Sequence, residues 1–132
     1  MIALDTNVLL RLLLDDEPRQ AGPAQALVES TASAGDRVLL PDIVLCELEW
    51  VLDSAYGFSR ARVAETLRRL LDAEEFEFID RPAIVRAVAS YETGDADFSD
   101  YLIGESAAAR GAAVTYTFDR ALLAHPGFVR PG

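Results

Sequence analysis

The chain contains no lysine: all twelve of its basic residues are arginine. That absence removes chemistry that depends on a side-chain amine, including Schiff-base catalysis and lysine-dependent phosphate loops. Cysteine is equally scarce. Cys46 stands alone, so no intrachain disulfide can form and no cysteine pair is present to hold zinc. The single histidine, His125, sits in Ala124-His125-Pro126-Gly127 and reads as a loop residue. No uninterrupted apolar run approaches membrane-spanning length. The opening stretch lacks a basic leader and is interrupted by Asp5 and Arg11, so no signal peptide is expected. A cytoplasmic protein with no membrane partner is the expectation. The 132 residues show no repeat, low-complexity tract or linker, and one domain spanning 1–132 is expected.

What is abundant is acid. Net charge is −10, which by itself argues against a nucleic-acid binder, because phosphates need counter-charge. Acidity gathered in one cleft would instead call for a divalent metal or a basic protein partner.

Short apolar runs alternate with helical patterns along the chain. Strands are expected at 1–4, 37–40, 76–79, 112–116 and 128–129. Helices are expected at 6–14, closed by Asp15-Asp16-Glu17-Pro18, and at 23–34, 41–56, 60–72, 81–91 and 97–110, with a short one after Asp119. Ser59 is placed to cap the helix of 60–72, whose apolar stripe is Val63, Leu67, Leu70 and Leu71. This alternation predicts an α/β domain with a mainly parallel central sheet flanked by helices. In such folds, function collects beyond the carboxyl ends of the strands. Asp5 follows the first strand and Asp119 follows the fourth, which puts both on that side.

Two further acids are singled out by helical phase. On the helix beginning Pro41-Asp42, Glu47 falls within the apolar arc of Ile43, Val44, Leu48, Val51 and Leu52, whereas Glu49 and Asp53 fall outside it. A carboxylate there is either a metal ligand or a groove-edge residue reaching an arginine. On the helix of 97–110, Asp100 shares a strip with Ile103, Gly104 and Ala107, which is expected to face the protein. Asp97 can be the N-cap and Asp100 its capping-box partner, a structural use that accounts better for Asp97. Asp5 and Asp119 could likewise be caps. Four such acids at one end of one sheet would need a compensating cation. Oxygen-only donors select Mg²⁺ or Mn²⁺, and a hard metal held this way suits phosphodiester hydrolysis.

With these residues in view, the chain resembles the PIN-domain ribonucleases, and among them the toxin halves of VapBC-type toxin–antitoxin pairs. The resemblance rests on Leu4-Asp5-Thr6-Asn7, on Pro41 with Glu47-Leu48, on Asp97 to Ile103, and on Thr117-Phe118-Asp119-Arg120. It implies a three-layer PIN-like fold, an RNA substrate cut by hydrolysis with Mg²⁺ or Mn²⁺, a homodimer, and a VapB-type antitoxin. Carried over residue by residue, it makes Asp5, Glu47, Asp100 and Asp119 the catalytic and metal-binding acids, with Asp97 a further candidate ligand. Thr6, Asn7 and Thr117 would orient them. Tyr101 departs from the small residue often found after the third acid and would narrow the groove there. Arg11 is a candidate phosphate contact, its alternative being an ion pair with a groove acid. An antitoxin carrying arginine would find the acids attractive, and the helix faces around Leu9, Leu13, Val63 and Leu67 would offer apolar surface to a partner. The reading from another class is a PIN-like scaffold that binds RNA or protein without cleaving.

Overall fold

The structure, a computed structural model, describes residues 1–14 and 16–132. Asp15, expected to help close the first helix, lies outside the described residues. Among the described residues there are five strands and seven helices, and every strand pairing is parallel. The α/β class and its parallel strands therefore agree with the pattern of short apolar runs and helices. No helix among them is long and apolar enough to cross a membrane. The chain forms two compact units, one of Met1–Gly57 with Arg69–Ile79 and one of Phe58–Arg68 with Asp80–Gly132.

The first unit carries strands β1 (Ile2–Ala3), β2 (Val38–Leu39) and β3 (Phe76–Glu77), hydrogen-bonded in that order. Ile2 pairs with Val38, and Val38 with Phe76. The strands are shorter than their apolar runs because only two residues of each join the ladder. Leu4 and Leu40 continue the pairing by single bonds to Leu39 O and Glu77 O, and both are buried. Helices α1 (Thr6–Leu13), α2 (Pro18–Ser33) and α3 (Asp42–Ser54) complete the unit, α1 packing on both of the others. Leu9, Leu48 and Leu52 are fully buried, each worth roughly 1.5–3 kcal/mol of transfer free energy.

Helix α2 begins at Pro18, earlier than the expected start at Pro23. Pro18 fits the first helical turn, where its missing N–H has no intrahelical partner to serve. Pro23 lies inside the helix, and the cost is local: it cannot donate to the carbonyl of Arg19.

The orientation of α3 also differs from expectation. Its buried positions are Val44, Leu45, Leu48, Glu49 and Leu52, with Glu49 only 1% exposed. Ile43, by contrast, is 72% exposed and Glu47 is exposed with it. The segment is apolar on nearly every side, so its hydrophobic direction is weakly defined, and a charged residue was the wrong marker of the outer face.

In the second unit, α5 (Arg81–Thr93) packs on α6 (Phe98–Ala109). Asp80 caps α5 by accepting from the Ala83 N–H at 3.1 Å. Phe98 is fully buried and meets Tyr91 edge-on, with ring centroids 6.4 Å apart. Helix α4 (Arg60–Asp72), of which the residues up to Arg68 belong to this unit, is capped by Ser59, whose Oγ accepts from the Arg62 N–H at 3.2 Å. Strands β4 (Thr115–Tyr116) and β5 (Phe128–Val129) form a separate parallel pair, with α7 (Arg120–Leu123) between them in sequence. His125 is half-buried, its ring 5.2 Å from that of Tyr101 and 5.9 Å from that of Phe128, which makes it a packing residue.

Three of the apolar positions expected to serve a partner are buried instead. Leu9, Val63 and Leu67 are at most 1% exposed, so they belong to the protein's own core and offer a partner nothing. Leu13 is half-buried.

Candidate functional site

Asp5 is placed by the end of β1. The backbone is extended there, and the carboxylate turns back to accept from the Val8 N–H at 3.1 Å, capping α1. The structural role open to it in the sequence is therefore real, and the side chain remains exposed while filling it. Thr6 is buried in the first turn of α1. Asn7 and Asp5 line a cavity of about 420 Å³ shared by α1 and α2. Arg11, Arg19 and Gln20 line the same cavity, and Val8, Pro23 and Leu27 give it an apolar side.

Arg11 is engaged within this unit. Its guanidinium lies 3.2 Å from Asp16 Oδ1 and donates to Tyr56 Oη at 3.3 Å, and the Tyr56 hydroxyl donates to Asp16 Oδ2 at 3.0 Å. The ion-pair reading of Arg11 thus describes its contacts, although the acid concerned is Asp16. The residues that sequence reasoning missed are Arg19, Gln20 and Tyr56. Placing the helix start at Pro23 left 18–22 as a connecting loop and hid the wall that Arg19 and Gln20 build. Pro18, a residue favoured at a helix start, was the available signal.

On α3, Glu47 is exposed and Glu49 buried. The inward phase assigned to Glu47 is therefore corrected, and its candidacy rests on the family resemblance alone.

The second unit gathers charge of one sign. Asp97 opens α6, and its N–H donates to Asp100 Oδ2 at 3.1 Å in a capping box. Asp97 is exposed and Asp100 half-buried. Burial pushes the Asp100 carboxyl above its ordinary range; the hydrogen bond from the Asp97 backbone opposes this, while the neighbouring Asp97 and Asp119 charges reinforce it. Asp119 follows β4. It caps α7 by accepting from the Ala121 N–H at 2.9 Å, and its own N–H donates to Thr117 Oγ1 at 3.0 Å. Thr117 thus holds the backbone of Asp119 at the start of α7.

The strip expected to carry Asp100 inward is only partly so. Gly104 lies against Phe128, where an added Cβ would come within 2.5 Å of the ring, but Ile103 is 57% exposed. The buried face of α6 is Phe98, Tyr101 and Leu102. Tyr101 is buried, and its hydroxyl accepts from the Ala96 N–H at 3.4 Å.

Among the described residues, no three side chains of His, Cys, Asp or Glu are gathered closely enough to hold a metal ion. The donors nevertheless suit a hard cation. They are carboxylate oxygens, and at Asp100 the negative form is disfavoured by burial and by like charge, a penalty that a cation reverses. Mg²⁺ commonly takes only one or two carboxylates and fills its other positions with water and phosphate oxygen. The match of residues to ion is one of chemistry, centred on Asp100 and its two acidic neighbours.

Comparison with known proteins converges with these observations. The family model described as PIN domain matches residues 2–128. A protein named VapC ribonuclease, from Aquifex aeolicus (strain VF5), is 28% identical over 120 residues, covering 91% of this chain and 88% of that protein.

Proposed function

This chain belongs to the PIN domain family, and on that footing we propose that it is a metal-dependent endoribonuclease acting as the toxin of a toxin–antitoxin pair. The observation that carries the proposal is the match of the PIN domain model to residues 2–128, within which Asp5, Asp100 and Asp119 stand at the starts of helices. The similarity to a protein named VapC ribonuclease supports RNA as the substrate. The match of the family model across both compact units supports reading 1–132 as one PIN domain.

In this reading Asp5, Glu47, Asp100 and Asp119 are the acids that serve Mg²⁺ or Mn²⁺, with Asp97 a further candidate ligand. When bound, the ion lowers the pKa of a water and offsets the charge that develops on phosphate oxygens. The chain's own groups do the rest. The Asp97 N–H fixes one oxygen of Asp100, Thr117 fixes the backbone of Asp119, and Thr6 and Asn7 flank Asp5. Arg11, held by Asp16 and Tyr56, is a preset positive group on the cavity that Asp5 lines and is suited to a backbone phosphate. The remaining parts of the proposal are a homodimer, a cytoplasmic location and a VapB-type antitoxin that uses arginine against the acids.

The test is cleavage of a short single-stranded RNA by purified protein. Cleavage is expected with Mg²⁺ or Mn²⁺ and lost on chelation. Tight RNA binding without cleavage at any metal concentration would leave the non-cleaving scaffold as the correct reading.

A further inference from the structure

The cavity beside Asp5 has walls of two kinds. On the α2 side, Gln20, Pro23 and Leu27 recur at helical spacing and form one face, with Arg19 at its edge; on the α1 side are Asn7 and Val8. A phosphate would be served by the arginines and has no use for the apolar wall. A metal ion would want oxygen donors. A nucleobase has flat apolar faces and an edge of hydrogen-bond donors and acceptors, and this cavity offers a counterpart to each. Side-chain amides present one acceptor and two donors, an arrangement that reads base edges, and guanidinium planes stack on unpaired bases in RNA recognition. At about 420 Å³, the cavity is of ordinary ligand-pocket size.

We propose that this cavity is the base-recognition subsite of the enzyme: it takes one unpaired nucleobase of the RNA next to the bond that is cut, with Gln20 reading its edge and Arg19 stacking on its face. The proposal deepens the ribonuclease reading and rests on it. Its position follows from Asp5, which belongs to the same cavity and to the acids assigned to cleavage. Gln20 and Arg19 are both exposed at the cavity, so a base reaches them without rearrangement of the core.

The experiment is deep sequencing of the ends produced from a random-sequence RNA pool, paired with NMR titration of the metal-free protein with each of the four nucleoside monophosphates. Wild-type protein is expected to prefer one base at one position beside the cut. Gln20→Ala should flatten that preference about tenfold, the order expected for one lost amide–base contact. Gln20→Glu, which keeps the size and removes the amide donors, should shift the preference to a different base. The monophosphate of the preferred base should move amide resonances of α1 and α2 most, and less in Gln20→Ala. If both variants cut with the wild-type preference, the inference is overturned and the cavity serves something else, such as a side chain of a partner protein. Absence of cleavage by the wild type would instead strike the ribonuclease reading, and the titration would then decide the cavity alone: base-dependent shifts keep it, and none refutes it.

Discussion

In the unit built on β1–β3, Asp5 is exposed in a cavity that Arg11 and Arg19 also line, whereas Asp100, in the unit of α5 and α6, is half-buried with Asp97 and Asp119 as its charged neighbours. The same residue type is thus set in two different surroundings. Of the guanidinium groups that line the cavity with Asp5, that of Arg11 is paired with Asp16. At Asp100, burial and the neighbouring acid charges raise the carboxyl above its ordinary range, a shift that a bound cation would oppose. Under the proposed ribonuclease reading, the acids around Asp100 would account for the need for metal and the arginines beside Asp5 for contact with RNA.

The largest effect should come from breaking the acidic side of this contrast. Asp100→Asn is expected to lower metal-dependent cleavage by at least about a hundredfold, since even outer-shell changes at metal sites cost roughly 10–100-fold. It should also stabilise the metal-free protein at neutral pH. The Asp100 carboxyl is raised above 3.8 in the folded state, so folding favours its protonated form, and wild-type stability falls as pH rises from that value through the folded pKa. Asparagine removes that fall. The gap in melting temperature between variant and wild type, followed without metal from pH 3 to pH 7, should therefore widen; a constant gap would contradict the raised carboxyl.

Next in size is the pair on α3. Glu49→Gln should cost about 1–3 kcal/mol of stability, because altering a polar side chain at a position only 1% exposed leaves buried polar groups imperfectly matched. Glu47→Gln, at an exposed position, should stay within about 0.5 kcal/mol of wild type yet lower cleavage. Denaturant unfolding and a cleavage assay on both variants give the comparison. Equal loss of stability in the two would mean that Glu47 is structural.

A smaller effect tests the packing behind Asp100. Gly104→Ala gains roughly 1 kcal/mol of helix propensity, but its Cβ would meet the Phe128 ring at 2.5 Å. Overpacking of this kind costs about 1–3 kcal/mol, so a modest net destabilisation is expected in the urea midpoint. A gain would show that the ring gives way freely.

The smallest effect belongs to Arg68 and Glu92, joined on the surface by two bonds of 2.8 and 2.9 Å. The guanidinium holds the Glu92 carboxyl below its usual 4.5. The stabilisation is therefore present above that value and lost as pH falls through the folded pKa. Arg68→Ala should lower the melting temperature slightly at pH 6, and the difference should shrink as pH falls through the folded pKa of Glu92. A difference that persists in acid would come from lost packing of the arginine stem.

Elements were more legible than orientations. The strands at Val38–Leu39 and Phe128–Val129 and the cap at Ser59 follow from short-range rules that need no knowledge of neighbours. Asp5 and Asp119 were legible as caps, and both cap helices here. The face of α3 was not legible. A helix with Ile43, Val44, Leu45, Leu48, Trp50 and Val51 has apolar residues in every direction, and the surroundings that allow Glu49 to be buried are contributed by other parts of the chain. The cavity wall on α2 was lost for a different reason: Pro23 resembles a helix start, and only the complete structure shows it inside a helix that began at Pro18.

The parallel ladder of the first unit also has a consequence in time. Ile2 meets Val38, and Val38 meets Phe76, so each pairing closes a long loop before it gains two residue pairs. Loop closure of that length is an entropic loss with little immediate return, and contacts between distant residues slow folding. Helices α1, α2 and α3 need only local contacts to begin forming. They are therefore expected to assemble ahead of the ladder, with strand pairing completed late, and substitutions at Val38 should speed unfolding more than they slow refolding. The loop that presents Asp5 would then reach its final geometry among the last parts of the unit, so that the reactive surface matures only after the framework beneath it has closed.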